Sequence, residues 1–471
     1  MPRAPASPRR YVRLALRGAC ACSLLQLGAC QSVDVPKLPD TTPSHFRHAI
    51  AGAEEPSART PDLTGWWHAF GDQDLDALVM LALDQNLTLA QAQSRLSAAR
   101  AIAYASRSSF RPNLSTGTLT TPDPDAAVSY LQGNIDATWE LGLFGRAEGT
   151  RRVAQAGVAT ASADLQGARV TLVAEVARDY LAMRGAQQQV AALERVAEAQ
   201  RARRKLMAKR VGLGLATTAD ASRIDAEWAQ SDAALAEPRA RADAAAQQLA
   251  VLCGRMEPAP EWLVARAPPR LSSAPRAALP ADLLRTRPDV RRAEAAVLAA
   301  AGEVGIARSD LYPRLSLFGA ITSATTTSGG EFGFGRVVTA FGPSIDLPLF
   351  DWGARRARVD AKDAELAASV SGYRETVLEA VAETENALGS WNAQSARVVA
   401  LRTALAARER EVHSANSGRR LGLADGLDEA AATIALEQGR LELMDAELSQ
   451  SLAYIALYKA LGGAPAPTEG S

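Results

Sequence analysis

Aromatic residues and histidine are scarce in this chain of 471 residues. Tryptophan, tyrosine and phenylalanine make up 5% of it, although hydrophobic residues as a whole make up 47%, and there are four histidines. The apolar content is therefore mostly alanine, leucine and valine. This composition favours long, closely packed helices over a large globular core.

Sequence motifs for common chemistry are also missing. Neither a GxxxxGKS/T phosphate-binding loop nor an HExxH zinc motif occurs, and Cys253 has no identifiable histidine partner. The carboxylates fall in helical runs, where solvated faces or intrahelical ion pairs explain them. We therefore expect no enzyme activity, no metal and no dissociable cofactor. Because the formal net charge is zero, we expect no nucleic-acid partner either.

Long hydrophobic runs are the third absence. Beyond Cys30 no stretch offers the roughly 18 uncharged apolar residues that a membrane-spanning helix needs. Any membrane crossing by this chain must therefore use strands.

The N-terminus has the pattern of a bacterial export signal. A short apolar stretch, CSLLQLGAC, ends at Cys30 and is preceded by five arginines, Arg3, Arg9, Arg10, Arg13 and Arg17. The LGAC segment resembles a lipobox, which implies a signal peptide over residues 1–29 and diacylglycerol plus an N-acyl chain on Cys30. Gln31 follows where lipoproteins kept at the inner membrane typically have Asp, so the resemblance indicates the outer membrane. The alternative is ordinary cleavage that leaves Cys30 a plain thiol.

Cysteine use follows from this processing. Cleavage removes Cys20 and Cys22 and leaves Cys30 and Cys253. If Cys30 is acylated, no intramolecular disulfide can form even in an oxidising compartment. We expect Cys253 to be a small buried apolar residue.

A unit of about two hundred residues occurs twice. In the alignment Asn86 meets Arg287, and Pro112 meets Pro313. The matched segments are 84–115 with 285–316, LGLFG (141–145) with LPLFD (347–351), GLATTAD (214–220) with GLADGLD (422–428), and VLCG (251–254) with KALGG (459–463).

The duplication predicts the organisation of the chain. We place the copies at residues 61–254 and 280–463, after an N-terminal linker at 30–60. An equatorial linker (255–279) joins the copies, and a tail (464–471) follows them.

Each copy has the same predicted order of elements. A helix of about 35 residues ends at a proline, as helices commonly do. Two strands follow, then a long helix, a glycine-rich tip and a returning helix. The long helices, starting near Gly145 and Trp352, could run about 65 residues, or roughly 100 Å. The strands are predicted at about 113–121, 127–141, 314–325 and 335–347, and the loop of the second strand pair at 325–333.

The strand segments alternate between polar and apolar residues. In the second strand Gln132, Asn134, Asp136 and Thr138 alternate with Leu131, Gly133, Ile135, Ala137 and Trp139. This pattern fits a barrel wall between water and lipid, although a sandwich strand with one solvated face fits each segment equally well. Four strands cannot close a membrane barrel, which begins at about eight, whereas three copies of the chain would supply enough.

Several segments resemble the TolC/NodT-type outer-membrane efflux lipoproteins. They are GWWHAFGDQDLDALVMLALDQNLTLAQA (65–92), LLRTRPDVRRAEAAVLAA (283–300), YPRLSLFG (312–319) and DLPLFDWGARRA (346–357). The similarity covers roughly residues 60–463. It implies an α+β fold in which a homotrimer forms a 12-stranded outer-membrane barrel, continued by a 12-helix barrel in the periplasm.

The resemblance also implies a function. Such proteins are passive exit ducts for small molecules in tripartite pumps, with a periplasmic adaptor and usually a resistance-nodulation-division transporter in the inner membrane. A type I secretion duct is also possible. The alternative from another class is a lipid-anchored periplasmic coiled-coil scaffold or adaptor. Such a scaffold would have no use for two hairpins inserted between helices.

Family resemblance places the glycine-containing connections at the periplasmic tip, where adaptor hairpins dock. These connections are RVGLGLA (210–216) and RRLGLA (419–424). The residues implied in docking are Arg210, Gly212, Gly214, Arg420 and Gly422. The alternative is ordinary helix termination, with glycine after basic residues.

Asp425 and Asp428 follow the second tip. Family members close this end with acidic rings, so the resemblance implies a periplasmic gate that favours cations. Such a ring would need partners such as Arg419 or Arg420, or bound cations. The alternative is helix capping, with an acid three residues after the cap.

The first copy shows two further features. Thr217 and Asp220 have the same capping pattern as Asp425 and Asp428. Pro238 falls within the first returning helix and has no counterpart in the second copy. Because proline removes a backbone hydrogen bond, we expect a kink there and an asymmetry between the two helical hairpins.

Overall fold

The computed structural model describes residues 36–38, 46–48, 63–121, 129–272, 274–275, 281–328, 331–332, 335–423 and 425–464. The signal peptide (1–29), Cys30, most of the linker (30–60) and residues 465–471 of the tail lie outside the described residues.

The described elements follow the duplicated order. The helices are α1 Gln73–Gln85, α2 Leu87–Ser108, α3 Arg146–Gly212, α4 Thr218–Ala233, α5 Ala236–Leu252, α6 Pro260–Leu263, α7 Pro288–Ser309, α8 Ala354–Arg420 and α9 Gly426–Ala460. The strands are β1 Asn113–Thr121, β2 Ser129–Glu140, β3 Arg314–Ser328, β4 Glu331–Phe332 and β5 Arg336–Asp346. Short 3-10 turns occupy Trp66–Phe70 and Ala281–Thr286.

The two long helices are confirmed, since α3 and α8 contain 67 residues each. The described strands form one antiparallel sheet in which β1 pairs with β2, β2 with β3, and β3 with both β4 and β5. The predicted loop at 325–333 is wrong. β3 continues to Ser328, and β4 pairs back onto its end. Residues 325–328 are three threonines and a serine, which occur in strands as well as in loops, so composition alone does not place the turn.

Strand register fixes how the two copies correspond. Asn113 pairs with Thr138 across β1 and β2, and Arg314 pairs with Asp346 across β3 and β5. Asn113 and Arg314 each follow the matched proline of their copy, so they are equivalent. Thr138 is therefore equivalent to Asp346.

The corner after each hairpin keeps this correspondence. Phe144 and Trp352 have φ angles of 55° and 56°, and each precedes a glycine of positive φ, Gly145 or Gly353. Phe144 is thus equivalent to Trp352, and the alignment of LGLFG with LPLFD is wrong by two residues. The letters match, but the left-handed backbone that redirects the chain lies at Trp352-Gly353.

The first helix of each copy is shorter than expected. The predicted 35-residue helix is wrong in the first copy, because Asn86 has an extended backbone and separates α1 from α2. Its side-chain oxygen accepts a hydrogen bond from the Leu89 N–H at 2.9 Å and so caps α2. In the second copy a 3-10 turn precedes Arg287, and α7 begins at Pro288.

The expected asymmetry of the returning helices is confirmed. In the first copy the helix is divided into α4 and α5 at Ala234–Leu235, whereas α9 runs for 35 residues without a break. Pro238 is the third residue of α5. Its missing N–H is harmless there, because the first four N–H groups of a helix have no intrahelical partner. The expected kink is therefore a helix break.

Ser97–Thr160 and Ala293–Tyr373 belong to one compact unit, the strand unit. It contains the sheet and the helix segments next to it. Here α3 and α7 approach through glycines: a Cβ added to Gly149 would lie 2.7 Å from the carbonyl oxygen of Gly302. Only glycine fits such backbone contact.

The helical unit contains residues 63–96, Ala161–Arg292 and 374–464. Its core includes an aromatic cluster in which Trp66 stacks on Tyr458 with ring centroids 5.8 Å apart. The Trp66 indole N–H donates to the Gly463 carbonyl at 3.2 Å. The WW segment near the start of the first copy is thus held by the end of the second copy. Within the described ranges, none of the helices has the length and hydropathy that crossing a bilayer would require.

Candidate functional site

Two helix tips belong to the helical unit. The first tip, residues 210–217, joins α3 to α4, and the second tip, residues 418–425, joins α8 to α9. Gly214 and Gly422 have φ angles of 72° and 74°. The sequence-predicted docking residues thus lie at the two turns or in the last turn of the preceding helix.

Both tips close with the same hydrogen bonds. The Leu215 N–H donates to the Arg210 carbonyl at 2.8 Å, and the Leu423 N–H donates to the Gly418 carbonyl at 2.8 Å. The Gly214 N–H donates to the Val211 carbonyl at 3.0 Å, and the Gly422 N–H donates to the Arg419 carbonyl at 3.1 Å. This pair of bonds at each tip is the Schellman arrangement, which requires a left-handed residue. Helix termination is therefore confirmed as one role of Gly214 and Gly422. Gly212 has an ordinary helical position, and a Cβ added there would meet nothing within 4 Å.

Each tip carries two exposed leucine side chains. Leu213 and Leu215 are 73% and 66% exposed, and Leu421 and Leu423 are 73% and 81% exposed. Leucines this exposed in pairs on both tips present an apolar surface suited to a protein partner.

Capping boxes follow each turn, as the sequence predicted. The Thr217 hydroxyl accepts from the Asp220 N–H at 3.2 Å, and the Asp220 carboxylate accepts from the Thr217 N–H at 3.1 Å. Asp425 caps α9 and accepts from the Leu427 N–H at 3.1 Å, while Asp428 accepts from the Asp425 N–H at 3.2 Å. Hydrogen bonds from the Thr217 hydroxyl and backbone lower the pKa of Asp220.

The partner of Asp425 was not foreseen from the sequence. Arg210 of the first tip donates to the Asp425 carboxylate at 2.6 Å. Arg419 instead pairs with Glu429, and the Arg420 Nε donates to the Asn416 carbonyl at 3.4 Å. The expected partners, Arg419 and Arg420, are therefore replaced by a residue more than two hundred positions away.

This pair connects the two hairpin tips. Arg210 and Asp425 side chains are 39% and 45% exposed, so the pair is accessible to water and to ligands. The Leu206 side chain lies 3.3 Å from where a Cβ on Gly426 would be, so the start of α9 packs on α3. The structure thus brings Asp425, Asp428 and Arg210 together at one place.

The N-terminal linker contacts α8 at Arg47 and His48. His48 Nδ1 lies 2.7 Å from the Glu385 carboxylate, which also accepts from the backbone N–H groups of Arg47 and His48. Partial burial acts to raise the pKa of Glu385, but the hydrogen bonds from Arg47 and His48 outweigh it and lower this pKa.

Metal and nucleophile candidates are few in the described residues. They contain no cluster of three or more His, Cys, Asp or Glu side chains arranged to hold a metal ion. Cys253 is buried, as expected, and burial raises the pKa of its thiol, so it is poorly suited as a nucleophile.

A family model described as "Outer membrane efflux protein" matches residues 78–255 and again residues 279–463. These two ranges are nearly those of the two sequence copies.

Named relatives cover most of the chain. It is 30% identical to the pyoverdine export outer membrane protein OpmQ of Pseudomonas aeruginosa over 96% of both chains. It is 28% identical to nodulation protein T of Rhizobium leguminosarum bv. viciae, over 86% of this chain and 81% of the relative.

Solved structures of channels have the same fold. The outer-membrane channel OprN superimposes with a TM-score of 0.77 and 30% identity, over 92% of this chain and 99% of OprN. The open state of the Neisseria gonorrhoeae MtrE outer membrane channel gives a TM-score of 0.77 at 24% identity, over 91% of this chain and 98% of MtrE.

Proposed function

The chain belongs to the outer membrane efflux protein family, and we propose that it is the outer-membrane channel of a tripartite efflux pump. It acts as a passive duct that carries small molecules from the periplasm to the exterior, and it performs no catalytic step. The observation that carries this proposal is the double match of the family model, one match to each copy. A coiled-coil scaffold is not favoured, because the described hairpins form a single continuous sheet.

The duct requires several copies of the chain. The four long strands of one chain cannot close a membrane barrel, for which about eight are needed. A homotrimer would supply twelve, with the helices continuing the wall into the periplasm.

The tips are the proposed contact with a periplasmic adaptor. Four exposed leucines supply apolar area, and Arg210 and Arg420 supply charge and hydrogen-bond donors. Gly214 and Gly422 fix the turn that presents the leucines. The adaptor in turn connects the duct to an inner-membrane resistance-nodulation-division transporter.

The gate is proposed at the same end. Threefold repetition of Asp425 and Asp428 around a narrow mouth would concentrate negative charge and favour cations. The Arg210–Asp425 ion pair joins the two tips of one chain, so breaking it would allow the tips to separate.

Anchoring at the N-terminus is part of the proposal. Lipid on Cys30 would hold the start of the mature chain in the outer membrane, and the contact of His48 with Glu385 holds the described linker on α8.

Membrane fractionation and conductance test the function directly. The full chain, expressed in a Gram-negative host, should sediment with the outer membrane and form conducting trimers in planar bilayers. Replacing Leu421 and Leu423 with Ser should abolish complementation of efflux while conductance persists, because only docking is lost. A chain found in the inner membrane or soluble periplasm, or one that never conducts, would contradict the proposal.

A further inference from the structure

The helical unit contains a cavity of about 580 Å³. It lies along α3 and α9, which approach each other so that a Cβ added to Gly185 would lie 3.0 Å from the Leu448 side chain. Ala244 of α5 and Arg402 of α8 also line it, and residues 267–271, the strap, complete the lining. A cavity of this volume accommodates an organic ligand of drug size.

The strap is held at both ends. Before it, the Arg184 guanidinium donates to the Val264 carbonyl at 2.8 Å. After it, the Ser272 N–H donates to the Ala69 carbonyl at 2.9 Å. Residues 268–269 are both proline, so two φ angles of the strap are fixed by their rings. The cavity is therefore formed before any ligand binds, which limits the entropy that a ligand must overcome.

Apolar side chains from three elements line the cavity. They are Leu181 and Ala186 of α3, Met444 and Leu448 of α9, and Leu271 of the strap. Burying the hydrocarbon part of a ligand against such a surface is favourable, because apolar area is removed from water.

Arginines from three elements line the same cavity. Arg402 forms an ion pair with Glu447 at 2.8 Å, so these two charges offset each other. Arg241 donates to the Gln189 side-chain oxygen at 2.6 Å, and this bond orients the guanidinium and leaves most of its five N–H donors for other acceptors. Arg270 of the strap forms no ion pair or hydrogen bond with any described residue.

Asp445 is the remaining acid of the lining. Burial raises the pKa of its carboxyl, although Arg241 and Arg397 stabilise the charged form. Arg241 also lies 3.8 Å from Glu237 of its own helix. Two cations therefore meet two acids in this group, and the charge of Arg270 is left over. The cavity thus combines an apolar surface with a net positive charge.

We propose that this cavity binds a small amphipathic anion, whose apolar body lies against α3 and α9 and whose acidic group is held by Arg270 and Arg241. Guanidinium groups suit this task, because they donate paired hydrogen bonds to the oxygens of carboxylate, sulfonate or phosphate. The site goes beyond the proposed duct, since its whole lining comes from the helical unit of one chain and binding there requires no transport.

Direct binding tests the site in the full chain, assembled in nanodiscs of uncharged lipid. The probe is anilinonaphthalenesulfonate, an amphipathic anion that fluoresces in apolar surroundings, and empty nanodiscs give the blank. We expect saturable binding that naphthoate displaces. Naphthamide, which has the same rings without the charge, should displace the probe far less. Equal displacement by the two compounds would overturn the anion site.

Charge reversal in the strap tests the assigned cation. Arg270→Glu should raise the Kd of the probe about tenfold, because an attractive charge-assisted contact becomes a repulsive one. Arg374→Glu is the matched control, since Arg374 is an exposed arginine of α8 outside the lining, and it should leave the Kd unchanged. An unchanged Kd in Arg270→Glu, or an equal rise in both variants, would overturn the role of Arg270.

Filling the cavity tests its location. Ala244→Phe places a ring in the cavity and should abolish the saturable binding. Ala240→Phe, one turn earlier on α5 and outside the lining, should retain it. Both alanines are exposed, so both variants should keep the wild-type unfolding temperature without probe. Probe should raise that temperature in the wild type and in Ala240→Phe but not in Ala244→Phe. Saturable binding that persists in Ala244→Phe would overturn the site.

Discussion

Asn86 and Arg287 occupy equivalent positions in the two copies and donate hydrogen bonds to equivalent carbonyls. The Asn86 amide reaches the Leu252 carbonyl at 2.9 Å, and the Arg287 guanidinium reaches the Ala460 carbonyl. In each case the side chain at a helix break satisfies a carbonyl at the end of the returning helix. An amide in the first copy and a guanidinium in the second therefore donate to the equivalent carbonyl of the returning helix.

Asn86 should make two separable contributions to stability. Asn86→Ala should lower the free energy of unfolding by about 1–3 kcal/mol, because a buried carbonyl loses its donor and α2 loses its cap. Asn86→Ser should lose less, since serine caps a helix well but is too short to reach Leu252. Thermal unfolding followed by tryptophan fluorescence measures both. Equal losses in the two variants would contradict a stabilising role for the cap.

The stability of the tips should require glycine at position 422 but not at position 212. Gly422→Ala should destabilise the second tip by about 1 kcal/mol, because an L side chain resists the left-handed backbone. Gly212→Ala should be neutral or slightly stabilising, since alanine favours the helix. Hydrogen exchange of the tip amides measures the difference. Equal exchange in both variants would show that the left-handed turn is unimportant.

Charge at the proposed gate should control conduction. Replacing Asp425 and Asp428 with Ala should raise single-channel conductance in planar bilayers and weaken cation selectivity. Asp425→Asn should retain most of the capping, because asparagine caps nearly as well as aspartate. This variant separates lost charge from lost helix. Unchanged conductance and selectivity in an intact double-variant trimer would leave both residues as helix caps only.

Removing the cation of the Arg210–Asp425 pair should change cation selectivity in the direction opposite to removing the carboxylates. Arg210→Ala leaves the Asp425 carboxylate without its cation, so cation selectivity should increase while α9 stays capped. Arg210→Lys keeps the charge and should restore the wild-type value. Reversal potentials in a salt gradient measure this. Unchanged selectivity in Arg210→Ala would argue that the pair lies away from the conduction path.

Acid should release the linker at His48 from α8. The folded-state pKa of Glu385 is lowered from 4.5, so its stabilising contribution is present above that value and is lost as the pH falls through the lowered folded pKa. Hydrogen exchange at the Arg47 and His48 amides should then rise beyond the intrinsic pH effect. Glu385→Ala should show the faster exchange already at neutral pH. Protection that persists in this variant would contradict a role for the carboxylate.

Lipidation should define the mature N-terminus. Mass spectrometry of the N-terminal peptide should show Cys30 carrying diacylglycerol and an N-acyl chain, because durable anchoring takes more than one acyl chain. Cys30→Ser should leave the precursor uncleaved before residue 30. An unmodified Cys30, or a mature chain that starts elsewhere, would rule this out.

The sequence correctly predicted several local features of the chain. Absence of proline predicted the long helices α3 and α8, and the spacing of Thr217 with Asp220 and of Asp425 with Asp428 predicted both capping boxes. These features depend on residues within a few positions of one another, so the sequence by itself determines them.

Tertiary structure decided the correspondence between the copies. The matching letters of LGLFG and LPLFD gave the wrong register, because strand pairing and the left-handed backbone at Phe144 and Trp352 place the corner two residues later.

The sequence likewise did not predict which residues pair over long distances in the chain. Arg210 pairs with Asp425, although Arg419 and Arg420 lie closer in the chain, and Asn86 breaks a helix that its neighbours favour. Many arginines could serve a given carboxylate, and many polar residues could interrupt a helix. The packing of α3 against the start of α9 decides which arginine pairs with Asp425. The packing of the Asn86 amide against the end of α5 decides where the helix is interrupted. In both cases the polar group must lie next to its partner in space.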